Sequence, residues 1–108
     1  MSQISTHILD GALGCPAADV LVALQSDAGV EIASGTTDAD GRVADLGPEH
    51  LEAGTYRLSF ATGEYFGRTR RQTFYPVVSI AFSVADAEQH YHVPLLISPF
   101  AYSTYKGS

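Results

Sequence analysis

The side chains with the reactivity to do chemistry in this chain are its four histidines, at positions 7, 50, 90 and 92. An imidazole titrates near pH 6.5 when unperturbed, so it exchanges protons close to neutrality. His90 and His92 are two residues apart in an extended segment and therefore share one face. His7 stands mid-strand on the side opposite Ile4 and Ile8, while His50 falls in a polar connection and reads as a surface residue. The His90-x-His92 spacing can present two metal ligands, with His7 as a third, yet no carboxylate or cysteine is placed to complete a zinc set. A serine hydrolase is also disfavoured, because the chain lacks a Gly-x-Ser-x-Gly elbow. The glycines punctuate turns and form no phosphate-cradling or dinucleotide motif.

These residues must be held by strands. No 3.6-residue periodicity persists, whereas short period-2 runs bounded by turn residues recur throughout, the pattern of an all-β sandwich or barrel. Residues 4–10 form the first strand, with Ile4, Thr6 and Ile8 on one face and Ser5, His7 and Leu9 on the other. After the Gly11–Pro16 loop, a strand over 19–25 places Val20, Val22 and Leu24 in the core. Ser26–Gly29 and Asp38–Gly41 have tight-turn chemistry and bracket a strand beginning at Val30; Arg42 stands just past the second turn. Residues 55–61 alternate with Tyr56, Leu58 and Phe60 inward, and 77–85 with Val78, Ile80, Phe82 and Val84 inward. The one place for a short helix is near residues 62–70. The last nineteen residues read as two strands joined at Ser98-Pro99, with Tyr91, Val93, Leu95 and Ile97 as an apolar face.

Length and composition set the frame. At 108 residues the chain suits a single domain spanning 1–108 with one core. A net charge of −6 with only six Lys and Arg argues against a nucleic-acid partner, which needs a basic face. Arg68, Arg70 and Arg71 do cluster, and read as a solvated loop or helix end. No segment approaches the ~20 apolar residues of a membrane helix, and the start lacks the basic and apolar regions of a signal peptide. The single Cys15 rules out an internal disulfide and a cysteine metal cluster. Cytoplasmic location is the expectation, and Cys15 itself reads as a buried or partly buried small residue.

Three segments carry a resemblance. Ser5-Thr-His-Ile-Leu-Asp10 followed by Gly14-Cys-Pro-Ala17, and Tyr91-His-Val-Pro-Leu-Leu-Ile-Ser-Pro-Phe-Ala-Tyr-Ser103, resemble the two signatures of the transthyretin-like proteins. The ending Tyr105-Lys-Gly-Ser108 is similar to the Tyr-Arg-Gly-Ser tail of that family's enzyme branch, the 5-hydroxyisourate hydrolases, which the hormone carriers lack. The resemblance implies a two-sheet, eight-stranded antiparallel β-sandwich with one short helix. It also implies a homotetramer, a dimer of dimers, with sites in the channel where dimers meet.

Residue by residue, the resemblance implies catalytic roles for His7, Arg42 and His92, His92 rather than His90 matching the family's second histidine. Tyr105, Lys106, Gly107 and Ser108 match the substrate-binding tail. Lys106 stands where the enzymes usually carry arginine, and lysine keeps the charge without the two-pronged contact of a guanidinium. No cofactor and no metal are implied. The implied reaction is hydrolysis of 5-hydroxyisourate, in urate breakdown, to 2-oxo-4-hydroxy-4-carboxy-5-ureidoimidazoline. It needs a base for water, a cation or donor for the developing oxyanion, and a proton for the leaving nitrogen. The alternative is a carrier of a small aromatic ligand on the same fold without catalysis, since fold alone does not fix function.

Overall fold

The computed structural model describes residues 2–108, and nine strands and one helix occur among them. They are β1 (Ile4–Asp10), β2 (Cys15–Pro16), β3 (Leu21–Ser26), β4 (Glu31–Thr36), β5 (Arg42–Val43), β6 (Gly54–Phe60), α1 (Thr62–Arg68), β7 (Val78–Val84), β8 (Tyr91–Ser98) and β9 (Ala101–Thr104). The first sheet runs β2-β1-β8-β9, with β5 also paired to β1, and the second runs β4-β3-β6-β7. Two of the nine strands are two-residue pieces laid along β1, so seven longer strands stand against the expected eight. All pairings are antiparallel except β1–β8, which is parallel from Ile4↔Tyr91 to Asp10↔Ile97. The chain is an all-β two-sheet sandwich.

Alternation is what builds it. Along β1, β3, β6 and β8 the apolar residues fall at every second position, interrupted in β1 by the buried Thr6 and Asp10, and a pleated strand turns them to one side. Ile4, Ile8, Val22, Leu24, Leu58, Phe60, Leu95 and Ile97 are accordingly all buried between the sheets, in one core cluster to which both sheets contribute. Each such side chain stabilises the fold by roughly 1.5–3 kcal/mol relative to leaving it in water. Helix α1 has no side-chain cap; its anchors are Tyr65 and Phe66, both buried in the same core.

A polar cluster fixes β1 from its far end. The buried Asp10 carboxylate accepts from Tyr65 Oη at 2.7 Å, from Arg71 Nη2 at 2.5 Å and from the amides of Ala12 and Leu13. Arg71 is therefore structural, which corrects its reading as part of a solvated cluster: the guanidinium also stacks 4.9 Å from the Phe66 ring centroid. Arg68 donates to the Asp19 carbonyl at 2.5 Å. Cys15 is exposed, not buried, because β2 lies on the rim of β1 with nothing over it.

Candidate active site

The polar residues meet on the outer face of the first sheet. In the parallel pairing Ser5 lies opposite His92 and His7 opposite Pro94; on the other edge of β1, His7 faces Arg42. Side chains directly opposite one another in a sheet point to the same face. Three strands thus bring Ser5, His7, Arg42 and His92 together, although the residues come from distant parts of the chain.

Arg42 owes its place to the turn before it. Asp38 Oδ1 accepts from the amides of Asp40 at 2.9 Å and Arg42 at 3.0 Å, and the Ile8 amide donates to the Gly41 carbonyl at 2.7 Å. Gly41 has φ +75°, and a Cβ there would run into the Ile8 carbonyl oxygen, so the close approach of this turn to β1 requires glycine. The result is an exposed guanidinium that makes no ion pair among the described residues.

His92 is half-buried on β8. Its pKa lies below the usual histidine value, first because burial disfavours the charged ring, then because Arg42, His7 and His90 add positive charge around it. It is a neutral imidazole near neutrality, able to accept a proton. Ser5 Oγ lies 2.8 Å from His92 Nδ1 and 2.8 Å from His90 Nε2.

The tail folds back over this face. After β9 the Gly107 amide donates to the His92 carbonyl at 2.9 Å. A Cβ at Gly107 would sit 2.6 Å from His92 Cδ2, so only a residue without a side chain lies this close to the ring. The chain end then reaches a cleft of about 270 Å³, lined by Ser5, Arg42, His90, His92 and Ser108 among others. Tyr105 and Lys106 line a separate hollow of about 390 Å³ on the other flank of the tail, which His92 also borders. There Lys106 Nζ lies 5.6 Å from the centroid of the Tyr91 ring.

Of the residues singled out from sequence, Arg42, His92 and Ser108 converge on the cleft and Gly107 packs against it. His7 stands beside it, across from Arg42 and near enough to act on the charge of His92. Ser5 was not among them, and His90 was weighed but set aside in favour of His92. For His90 the signal was present, in its two-residue spacing from His92; for Ser5 there was none until the β1–β8 pairing was known. His50 is an exposed residue whose Nδ1 meets the Ala87 carbonyl at 2.9 Å, with a raised pKa for that reason first, and Glu88 adding to it. Among the described residues no three His, Cys, Asp or Glu side chains are grouped to hold a metal ion. A neutral base beside a free cation suits attack of water on a carbonyl, the base taking a proton and the cation meeting the oxyanion.

Comparison with known proteins bears on that chemistry. The model of the HIUase/Transthyretin family matches residues 4–107. A 5-hydroxyisourate hydrolase of Caulobacter vibrioides is 46% identical over the whole length of both chains. The solved structure of Klebsiella pneumoniae 5-hydroxyisourate hydrolase superposes with a TM-score of 0.89 at 41% identity, covering 97% of this chain and 98% of that one. Sea bream transthyretin in complex with thyroxine superposes equally well, with a TM-score of 0.90 at 32% identity over 97% of this chain and 94% of that one.

Proposed function

Because the chain belongs to the HIUase/transthyretin family, we propose that it is an enzyme that hydrolyses 5-hydroxyisourate, opening the six-membered ring at a carbonyl. One observation carries the mechanism: neutral His92 and the free Arg42 guanidinium share one cleft. His92 takes a proton from water as the water oxygen bonds to the carbonyl carbon, a contribution of about 10²–10⁴-fold for a positioned base. Arg42 offers a fork of donors to the substrate carbonyls and to the oxyanion as it forms. The ring C–N bond then breaks, its electron pair goes to nitrogen, and a histidine supplies the proton; His7, beside the cleft, shares this work. Ser108 borders the bound ring, and Gly107 leaves room for the tail to close over it. Tyr105 and Lys106 complete the tail from its other flank. No metal and no cofactor take part.

The assembly we propose is a homotetramer, a dimer of dimers with the clefts between dimers, acting in the cytoplasm on a small molecule alone. Two features support it. Strands β7 and β9 are open edges of the two sheets, with main-chain groups available to pair. Phe74, Val77, Phe100 and Tyr102 are exposed on the described surface of one chain. Light scattering of the purified protein should give four times the chain mass. The exposed Cys15 fits a reducing compartment.

The test of function is ultraviolet absorbance of freshly generated 5-hydroxyisourate, which decays slowly unaided. Acceleration by the protein, lost in His92→Ala, is the expected result; no acceleration would favour the carrier. That second reading rests on the equally close superposition with a thyroxine-bound transthyretin. Against it stands the joint presence of His7, Arg42 and His92 on one face.

A further inference from the structure

Ser5 bridges two histidines that the reaction above does not connect. Its Oγ is 2.8 Å from His92 Nδ1 and 2.8 Å from His90 Nε2. A hydroxyl has one proton, so it donates one of these bonds and accepts the other. Of the two directions, one leaves His92 Nε2 free to take a proton from water: His92 Nδ1 donating to Ser5 Oγ and Ser5 Oγ donating to His90 Nε2. In that direction the His92 nitrogen facing β1, Nδ1, carries the proton. Ser5 Oγ accepts from it and donates to His90 Nε2. His92 Nε2 is left bare, on the side of the ring whose Cδ2 underlies Gly107.

The stoichiometry of ring opening gives this chain a use. One water is consumed: its oxygen bonds to the carbonyl carbon, the C–N bond breaks, and one water proton ends on the leaving nitrogen. The product carboxyl ionises, so the second proton must leave the cleft. Holding it on His92 is opposed from each neighbouring element, by Arg42 on β5, His7 on β1 and His90 just before β8. His90 is exposed to solvent.

We propose that Ser5 is a positioning residue of the hydrolysis, holding His92 in the tautomer with a bare Nε2 and connecting it to His90 as the outlet for the second proton. As His92 Nε2 receives that proton, Nδ1 releases its own to Ser5 Oγ, whose hydroxyl proton passes to His90 Nε2 and from the ring to water. Charge and protons balance with no further reactant.

This inference rests on the hydrolase reading, and its test separates the two. Nitrogen-15 NMR reads the His92 tautomer without substrate: Nδ1–H in the natural protein, a shift toward Nε2–H in Ser5→Ala, and Nδ1–H again in Ser5→Thr. In turnover, Ser5→Ala should lower kcat about tenfold, a part of what a positioned base supplies, with KM little changed, and Ser5→Thr should restore it. His90→Gln should lower kcat too, with recovery in concentrated imidazole buffer, a rescue that a merely structural role would not show. An unchanged His92 tautomer with unchanged kcat in Ser5→Ala overturns the inference. A natural protein that binds but does not turn over 5-hydroxyisourate overturns the hydrolase reading and the outlet with it, leaving the tautomer measurement to decide the positioning of His92.

Discussion

His7 and Arg42 face each other across the β1–β5 pair, so the residue of β1 paired with Arg42 is itself a histidine. Both add positive charge near His92, one strand away on the parallel side of β1. Burial is the larger cause of the lowered His92 pKa, and Arg42 comes next.

A pH dependence follows, with a definite sign. His92 should titrate below 6.5 in the folded protein, and kcat/KM should fall with acid through that lower value while staying level near neutrality. The unfolded chain binds this proton more readily, so folding stability is lost as pH drops from about 6.5 through the folded value. Arg42→Gln removes the positive charge that lowers it most and should move the His92 titration upward in an NMR pH series. A His92 resonance titrating above 6.5 in the natural protein would sink this account.

Removing the proposed base tests the division of labour. His92→Ala should cost about 10²-fold or more in kcat with an unchanged circular dichroism spectrum, because the outer face carries no core contact. Arg42→Lys keeps the charge and loses the planar fork, so it should raise KM as well as lower kcat. If Arg42→Lys matched the natural enzyme in both constants, recognition by a two-pronged contact would be excluded.

The tail makes its own prediction through Gly107. An added Cβ would sit 2.6 Å from His92 Cδ2 and 3.1 Å from Pro94 Cγ, and 3.2 Å from the His92 carbonyl oxygen. Gly107→Ala must therefore push the tail and the His92 ring apart, disturbing the cleft between them. The expected outcome is a kcat/KM lower by about tenfold or more, since misplacement of about 1 Å costs up to 10²-fold. Stability should change by no more than about 0.5 kcal/mol, as for surface sites away from the core. Normal kcat/KM in this variant would show that the tail does not shape the site.

What the sequence made legible, and what it did not, divides along a physical line. Alternation fixes which face of a strand is apolar, and the Tyr91, Val93, Leu95, Ile97 face is buried as its pattern requires. Alternation does not choose a neighbour. The parallel β1–β8 pairing joins segments from opposite ends of the chain, and no local signal encodes it. Strands β2 and β5 are loop residues until β1 offers them an edge. The same holds at the site: His7 and His92 stand out by residue type and Arg42 through the family resemblance, whereas Ser5 is an ordinary hydroxyl until register sets it between two imidazoles. Arg71 was misread for the same reason, its partner Asp10 being 61 positions away.

That Arg71–Asp10 pair gives a stability test remote from the cleft. Burial alone would raise the Asp10 pKa, but the hydrogen bonds from Arg71, Tyr65 and the Leu13 amide outweigh it, and the net direction is down. The same arrangement pushes Tyr65 up to about 12, burial first and the carboxylate second. Arg71→Met keeps a long apolar side chain over Phe66 and removes the two-pronged hydrogen bonding to Asp10, the shorter bond alone costing about 1.5–3 kcal/mol. For a domain of this size each kcal/mol lowers the melting temperature by roughly 4–8 °C. A carboxyl with a lowered folded pKa contributes stability above its unfolded value, here 3.8, and loses it as pH falls through the folded value. The gap between Arg71→Met and the natural protein should accordingly be widest near neutrality and close under acid, when Asp10 is protonated in both. Calorimetry at neutral and acidic pH decides it: a gap independent of pH would mean that Arg71 acts through packing on Tyr65 and Phe66 and not through its charge.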